Sequence, residues 1–135
     1  MKINIAILGS TGSIGENILD IVRKDKKNLK IVLLTANKNY KKLIQQAKEF
    51  KVKNILIYND KYYELLKVKL KGRKINIFSR KTKLNKILKK KVDYTICGIS
   101  GLDGLKPTLD VIKFTKTIAS ANKESIICGW YLINK

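Results

Sequence analysis

No apolar run in this chain is long enough to cross a bilayer. Strand-like residues begin at Lys2, so neither a signal peptide nor a transit peptide is expected ahead of the fold. A cytoplasmic protein with no membrane partner is therefore expected. Cysteine is scarce: Cys97 and Cys128 have neither metal-ligand spacing nor the density of a disulfide scaffold, and both are expected to be reduced and buried. Only three of the thirty basic residues are arginine. A net charge of +20 would draw polyanions. The lysines, however, are spread through almost every segment beside abundant Ile and Asn, as a coding bias toward A and T produces, and no nucleic-acid partner is expected. The densest run, Lys81 to Lys91, carries Leu84, Ile87 and Leu88 on its other side and reads as an amphipathic surface helix. Hairpin signals, repeats, low-complexity tracts and linkers are also missing. What remains, 135 residues that are 44% hydrophobic and 30% charged, suits one globular domain with a real core.

The most informative stretch comes first. An apolar run, Ile3-Asn4-Ile5-Ala6-Ile7-Leu8, flows into Gly9-Ser10-Thr11-Gly12-Ser13-Ile14-Gly15 and then into Ile18, Leu19, Ile21 and Val22 at helical spacing. This is strand, phosphate loop and helix. Glycines three apart let the backbone turn out of a buried strand, approach a ligand with no β-carbon in the way, and pack a helix against the sheet. The free N–H groups of the helix's first turn then face an anion, favoured by the helix dipole. A dinucleotide pyrophosphate is the usual occupant. The spacing G-x-x-G-x-x-G differs from the commoner G-x-G-x-x-G, so its weight comes from lying between a first strand and an amphipathic helix.

Strand and helix signals then alternate. Leu29 to Thr35 is a strand buried on both faces, and Tyr40 to Phe50 is a helix. Asn54 to Tyr58 is a strand, and a helix follows from Asp60, read as its N-cap, with Tyr63, Leu66 and Leu70 inward. Lys74 to Phe78 reads as a strand toward a sheet edge. After the basic helix come a buried strand, Val92 to Cys97, and a helix with Pro107 near its first turn and Leu109, Val111 and Ile112 behind it. Thr115 to Ala121 is strand-like and Lys123 to Leu132 helical. Strands joined by helices predict an α/β fold with a doubly wound, mostly parallel, Rossmann-like sheet and helices on both faces.

In such sheets ligands lie at the carboxyl ends of the strands. After the second strand an NAD site usually offers an acid to the ribose 2′-hydroxyl, whereas here stands Thr35-Ala36-Asn37-Lys38-Asn39, with no acid in it. An ammonium flanked by amides suits a 2′-phosphate, so NADP is favoured over NAD. The lesser alternative, which needs only one of the three residues, is that Asn37 or Asn39 caps the next helix and Lys38 is one more surface lysine. Ser120-Ala121-Asn122-Lys123-Glu124-Ser125 reads as a helix start whose polar groups reach the same crevice, where a lysine could meet a substrate anion.

These motifs, GSTGSIG at Gly9 to Gly15, ANKN at Ala36 to Asn39 and ANKES at Ala121 to Ser125, closely resemble in order and separation the amino-terminal domain of the 1-deoxy-D-xylulose 5-phosphate reductoisomerases. The resemblance spans the whole chain, including Leu105-Lys106-Pro107-Thr108-Leu109. It implies NADPH as cofactor, with Thr11, Gly12, Ser13 and Ile14 at the pyrophosphate and Asn37, Lys38 and Asn39 at the 2′-phosphate and ribose. It further implies Asn122 and Glu124 on the nicotinamide side and Lys123 on the sugar-phosphate substrate. Many family members have Gly at position 37, which would leave Asn37 a backbone role. The family's enzyme uses Mg²⁺ or Mn²⁺ to rearrange and reduce its substrate to 2-C-methyl-D-erythritol 4-phosphate in non-mevalonate isoprenoid synthesis, as a homodimer.

The ten acids are dispersed, and none is spaced like the family's metal site. No metal ligand and no catalytic residue is therefore assigned within residues 1–135, and a catalytic, metal-binding domain is expected after Lys135. Two other readings fit a glycine-rich NADP loop. One is a semialdehyde dehydrogenase, which needs a nucleophilic cysteine in a setting that Cys128 lacks; the other is a non-catalytic NADPH-sensing module.

Overall fold

The computed structural model describes residues 2–120. The strands are β1 (Ile3–Leu8), β2 (Leu29–Ala36), β3 (Asn54–Ile57), β4 (Asn76–Ser79), β5 (Val92–Cys97) and β6 (Thr115–Ser120). The helices are α1 (Ser13–Lys24), α2 (Tyr40–Glu49), α3 (Asp60–Lys69), α4 (Leu84–Ile87) and α5 (Leu105–Val111), with short 3-10 turns at Gly101–Gly104 and Ile112–Phe114. The strands form one six-stranded sheet in the order β4-β3-β2-β1-β5-β6. Every neighbouring pair is parallel.

The chain thus winds outward from β1 to β4 at one edge, then returns to lay β5 against the free side of β1. Because parallel crossovers keep one hand, reversing the direction of travel moves the helices to the opposite face. The two cores follow from this. On one face Ile5 and Ile7 of β1 meet Leu19 and Val22 of α1, Leu43 of α2 and Leu66 of α3. On the other, Ala6 and Leu8 meet Ile87 and Leu88 around α4 and Val111 of α5. Adjacent residues of β1 are apolar because both of its faces are covered, and each fully buried Ile or Leu contributes roughly 1.5 to 3 kcal/mol. Between β1 and β2 the register slips from Ile5↔Ile31 to Ala6↔Leu33, a bulge that turns Leu33 toward the second core.

Three readings are corrected. The N-cap of α3 is Asn59, whose Oδ1 accepts from the Tyr62 N–H at 3.3 Å, while Asp60 begins the helix and pairs with Arg80 at 3.1 Å. The helix expected over Lys81 to Lys91 is a single turn, Leu84–Ile87. Leu88 is already extended at ψ 90°, since the chain must reach β5 at Val92. In α5 the residues fully buried are Thr108 and Val111, with Thr108 Oγ1 donating to the Gly104 carbonyl at 2.7 Å. Leu109 and Ile112 are only half-buried. As expected, β4 lies at the edge.

Asp93 ties three strands at the amino end of the sheet. It accepts from the Asn4 N–H at 2.8 Å and pairs with Lys116 at 3.2 Å. The Asn4 hydrogen bond, then Lys116, hold its carboxyl below the ordinary range. A depressed native pKa stabilises the fold above the unfolded value, near 3.9, and that contribution is lost as pH falls through the native value. Asp93→Ala is therefore expected to lower the urea midpoint at pH 7, with the gap to the parent closing in acid; a gap that persists at low pH would contradict this.

Candidate functional site

At the crossover between β1 and β5 the carboxyl ends of the strands open into a cleft of about 470 Å³. Gly9, Thr11 and Gly12 wall it from the loop after β1, Thr35 to Asn37 from the end of β2, and Gly98 to Ser100 from the loop after β5. Tyr58, Asp103 and Pro107 complete the lining.

The glycines of the first loop do three different jobs. Gly9 turns the chain at φ +77°, and a β-carbon there would stand 2.9 Å from Ile99 Cγ1. Gly15 is where α1 crosses the loop, and its absent β-carbon would lie 2.5 Å from Ser10 Cα. Gly12 is neither twisted nor crowded: a β-carbon would meet only the Gly9 and Gly98 carbonyl oxygens, at 3.8 and 4.0 Å. It is exposed and lines the cleft. As N-cap of the 12-residue α1, Gly12 has no side chain with which to cap it. The first-turn N–H groups of Ser13, Ile14 and Gly15 thus lack intrahelical acceptors beside an open cleft, the arrangement that binds phosphate. Ser13 is exposed, while Ile14 packs beneath the β5 loop, its Cβ 3.3 Å from the point where a Gly98 β-carbon would stand.

A buried polar network backs this loop. The Gly9 N–H donates to Thr35 Oγ1 at 2.9 Å and the Ser10 N–H to the Thr35 carbonyl at 2.9 Å. Ser10 Oγ donates to Gln46 Oε1 at 2.8 Å, and Gln46 Nε2 donates to the Ser10 carbonyl at 3.0 Å and to Glu16 Oε1 at 3.1 Å. Glu16 in turn pairs with Lys42 at 3.0 Å, so the acid in the first turn of α1 is engaged on the side of α2. Sequence reading singled out neither Ser10 nor Gln46 here. The signal was a glutamine on the stripe of α2 that otherwise buries Leu43 and Ala47.

Of the second loop, Asn37 lines the cleft, and its carbonyl accepts from the Asn59 N–H at 3.0 Å. Lys38 and Asn39 follow it on the surface and are exposed. Asn39 is the N-cap of α2, its Oδ1 accepting from the Lys42 N–H at 3.3 Å, so the capping alternative holds for this residue. Lys38 forms no ion pair with an acid of the described residues. Tyr58, missed by the sequence reading, is mostly buried; burial first, then Asp110 and Cys97, push its phenol up to about 12, so it presents a neutral aromatic wall. Cys97 is a free, buried thiol, as expected, and burial raises its pKa. Asn122, Glu124, Lys123 and Cys128 lie outside the described residues. Among the described residues no three His, Cys, Asp or Glu side chains gather as a metal site, and no helix is long and apolar enough to cross a membrane.

A doubly wound parallel sheet whose first strand runs through a glycine loop into an uncapped helix at the crossover defines a Rossmann-type α/β domain. The family model described as 1-deoxy-D-xylulose 5-phosphate reductoisomerase matches residues 5–129, and the chain belongs to that family. A reductoisomerase of that name from Pelagibacter ubique is 59% identical over 133 residues, covering 97% of this chain and 34% of the relative. One from Wolbachia pipientis is 38% identical with the same coverage. Among solved structures, the reductoisomerase from Zymomonas mobilis in complex with NADPH superposes with a TM-score of 0.88 at 34% identity, over 98% of this chain and 35% of that one. A reductoisomerase in complex with NADPH, fosmidomycin and magnesium superposes with a TM-score of 0.84 at 35% identity, over 98% of this chain and 33% of that one. The chain spans about a third of the length of the relatives it matches.

Proposed function

We propose that this chain is the NADPH-binding portion of a cytoplasmic, homodimeric reductoisomerase that rearranges and reduces 1-deoxy-D-xylulose 5-phosphate to 2-C-methyl-D-erythritol 4-phosphate. The observation that carries this reading is one cleft walled by an uncapped helix start and by the end of β2, whose following acid-free loop bears Lys38, a lysine in no ion pair among the described residues. The first suits a pyrophosphate and the second a 2′-phosphate. Thr11 and Gly12, with the N–H groups of Ser13 and Ile14, hold the pyrophosphate. Lys38 faces the 2′-phosphate with a charge, Asn37 contributes from the cleft wall, and Asn39, its Oδ1 taken by the cap, has its amide nitrogen to offer. Tyr58 closes the side of the cleft by the end of β3.

Asn122 and Glu124 are assigned to the nicotinamide side and Lys123 to the substrate, following the family pattern. NADPH bound here supplies the hydride. A divalent metal, Mg²⁺ or Mn²⁺, supplies Lewis acidity in the complete enzyme. Its oxygen ligands, with the residues that hold the sugar phosphate, are assigned to a catalytic domain following residue 135, in the part of the family's length that this chain does not span. NADPH binding by residues 1–135 is accordingly expected to be independent of Mg²⁺ and Mn²⁺.

The test is a titration of the parent chain and of Lys38→Ala with NADPH and with NADH. The parent is expected to prefer NADPH, and the variant to lose about 1.5 to 3 kcal/mol toward NADPH with little change toward NADH. Equal parental affinities would overturn the cofactor assignment.

A further inference from the structure

One helix joins both halves of the proposed cofactor site. The amino end of α2 carries the Asn37–Asn39 loop, with Asn39 as its cap. Further along, Gln46 reaches beneath the glycine loop. Gln46 is 5% exposed and Ser10 fully buried, and three hydrogen bonds join the carboxamide to Ser10 and Glu16, which flank the part of the loop that faces the cleft. A leucine or methionine would fill this space. A buried carboxamide is tolerated only because its partners are met, and their geometry then fixes both groups. Gln46 does not line the cleft, so any effect on a ligand passes through Ser10 and Glu16.

We propose that Gln46 is a positioning residue that sets the spacing between the two phosphate-binding loops, matching it to a ligand that carries both a pyrophosphate and a 2′-phosphate. Ser10 opens the loop that leads into α1, and Glu16 lies in the first turn of α1. Clamping both to α2 locks the N–H groups of Ser13 and Ile14 at one distance from Lys38. Without the clamp each loop still exists, but the pair samples other spacings. A dinucleotide that must touch both then binds only the competent fraction and loses affinity by that factor. A ligand that touches one loop loses nothing. The inference rests on the NADPH reading, and its test separates the two.

Affinities for NADP⁺ and for adenosine 2′-monophosphate, which bears only the 2′-phosphate, are measured on the parent chain, on Gln46→Met and on the exposed neighbour variant Gln45→Met, where circular dichroism shows each fully folded. Gln46→Met is expected to weaken NADP⁺ about ten-fold or more while changing adenosine 2′-monophosphate less than about three-fold, and Gln45→Met to change neither. A merely structural role would lower the melting temperature without moving the affinity of the folded chain. Should Gln46→Met not fold, Ser10→Ala is expected to show the same selective loss at about three-fold or more. An unchanged NADP⁺ affinity, or an equal loss for both ligands, would overturn the positioning role and leave the cofactor reading standing. A parent chain that does not bind NADP⁺ would overturn that reading, and the inference with it.

Discussion

Gly12→Val is expected to leave the fold intact and to remove dinucleotide binding. A β-carbon at Gly12 meets only two carbonyl oxygens, at 3.8 and 4.0 Å, and the backbone stands at φ −84°, which valine adopts without strain. The protein therefore has room for a β-carbon at this position. The ligand does not, because Gly12 lines the cleft directly before the first-turn N–H groups of α1, and two methyl groups there occupy the space a pyrophosphate needs in order to reach them. An affinity lower by at least about 100-fold, or about 2.7 kcal/mol, is expected for NADPH, with the circular dichroism spectrum unchanged. A folded valine variant that binds like the parent would mean that the loop is purely structural.

Gly15→Ala should behave in the opposite way. Here the added β-carbon would stand 2.5 Å from Ser10 Cα and 2.6 Å from the Gly9 carbonyl oxygen, both backbone atoms that no rotamer change can move aside. Helix α1 would have to lift from the loop, disturbing the contacts of Leu19 and Val22 with the sheet. Alanine improves helix propensity by about 1 kcal/mol, which does not offset an overpacking cost of about 3 kcal/mol or more. Urea denaturation is expected to show a net loss of at least about 2 kcal/mol. A variant as stable as the parent would show that the close crossing of helix and loop is not required. Two glycines three residues apart thus separate binding from folding.

The winding of the sheet was legible because both of its signals are local. Apolar runs such as Ile5–Leu8 need cover on two faces, and the helices between them carry their own periodicity. The glycine loop was legible for the same reason: strand, turn and helix follow one another without a break. Caps were harder. Asn59 and Asp60 are both good caps standing side by side, so cap preference does not separate them, and it is Asn59 that accepts from the Tyr62 N–H. The Leu84, Ile87 and Leu88 spacing is satisfied by a single turn, so periodicity could not separate a one-turn helix from a longer one. In the site, the sequence offered Asn37 and Asn39 alike as caps of the next helix, and the hydrogen bond from the Lys42 N–H to Asn39 Oδ1 distinguishes them. Tyr58, Asp103 and Gln46 come from just after β3, from the 3-10 turn after β5 and from α2, and only tertiary packing brings the first two to the cleft and the third beneath the glycine loop. A polar residue on an apolar stripe, as at Gln46, is the trace such a contact leaves in sequence.

NADPH is proposed to lie across the two loops of the cleft at the β1–β5 crossover. An amide chemical-shift map of the isotopically labelled chain, titrated with NADPH in the absence and then in the presence of Mg²⁺, tests it most directly. The expected result is a set of saturating shifts at Thr11 to Ile14 and Asn37 to Asn39 that Mg²⁺ does not alter. Shifts scattered over the lysine-rich surface, or none at the glycine loop, would contradict it.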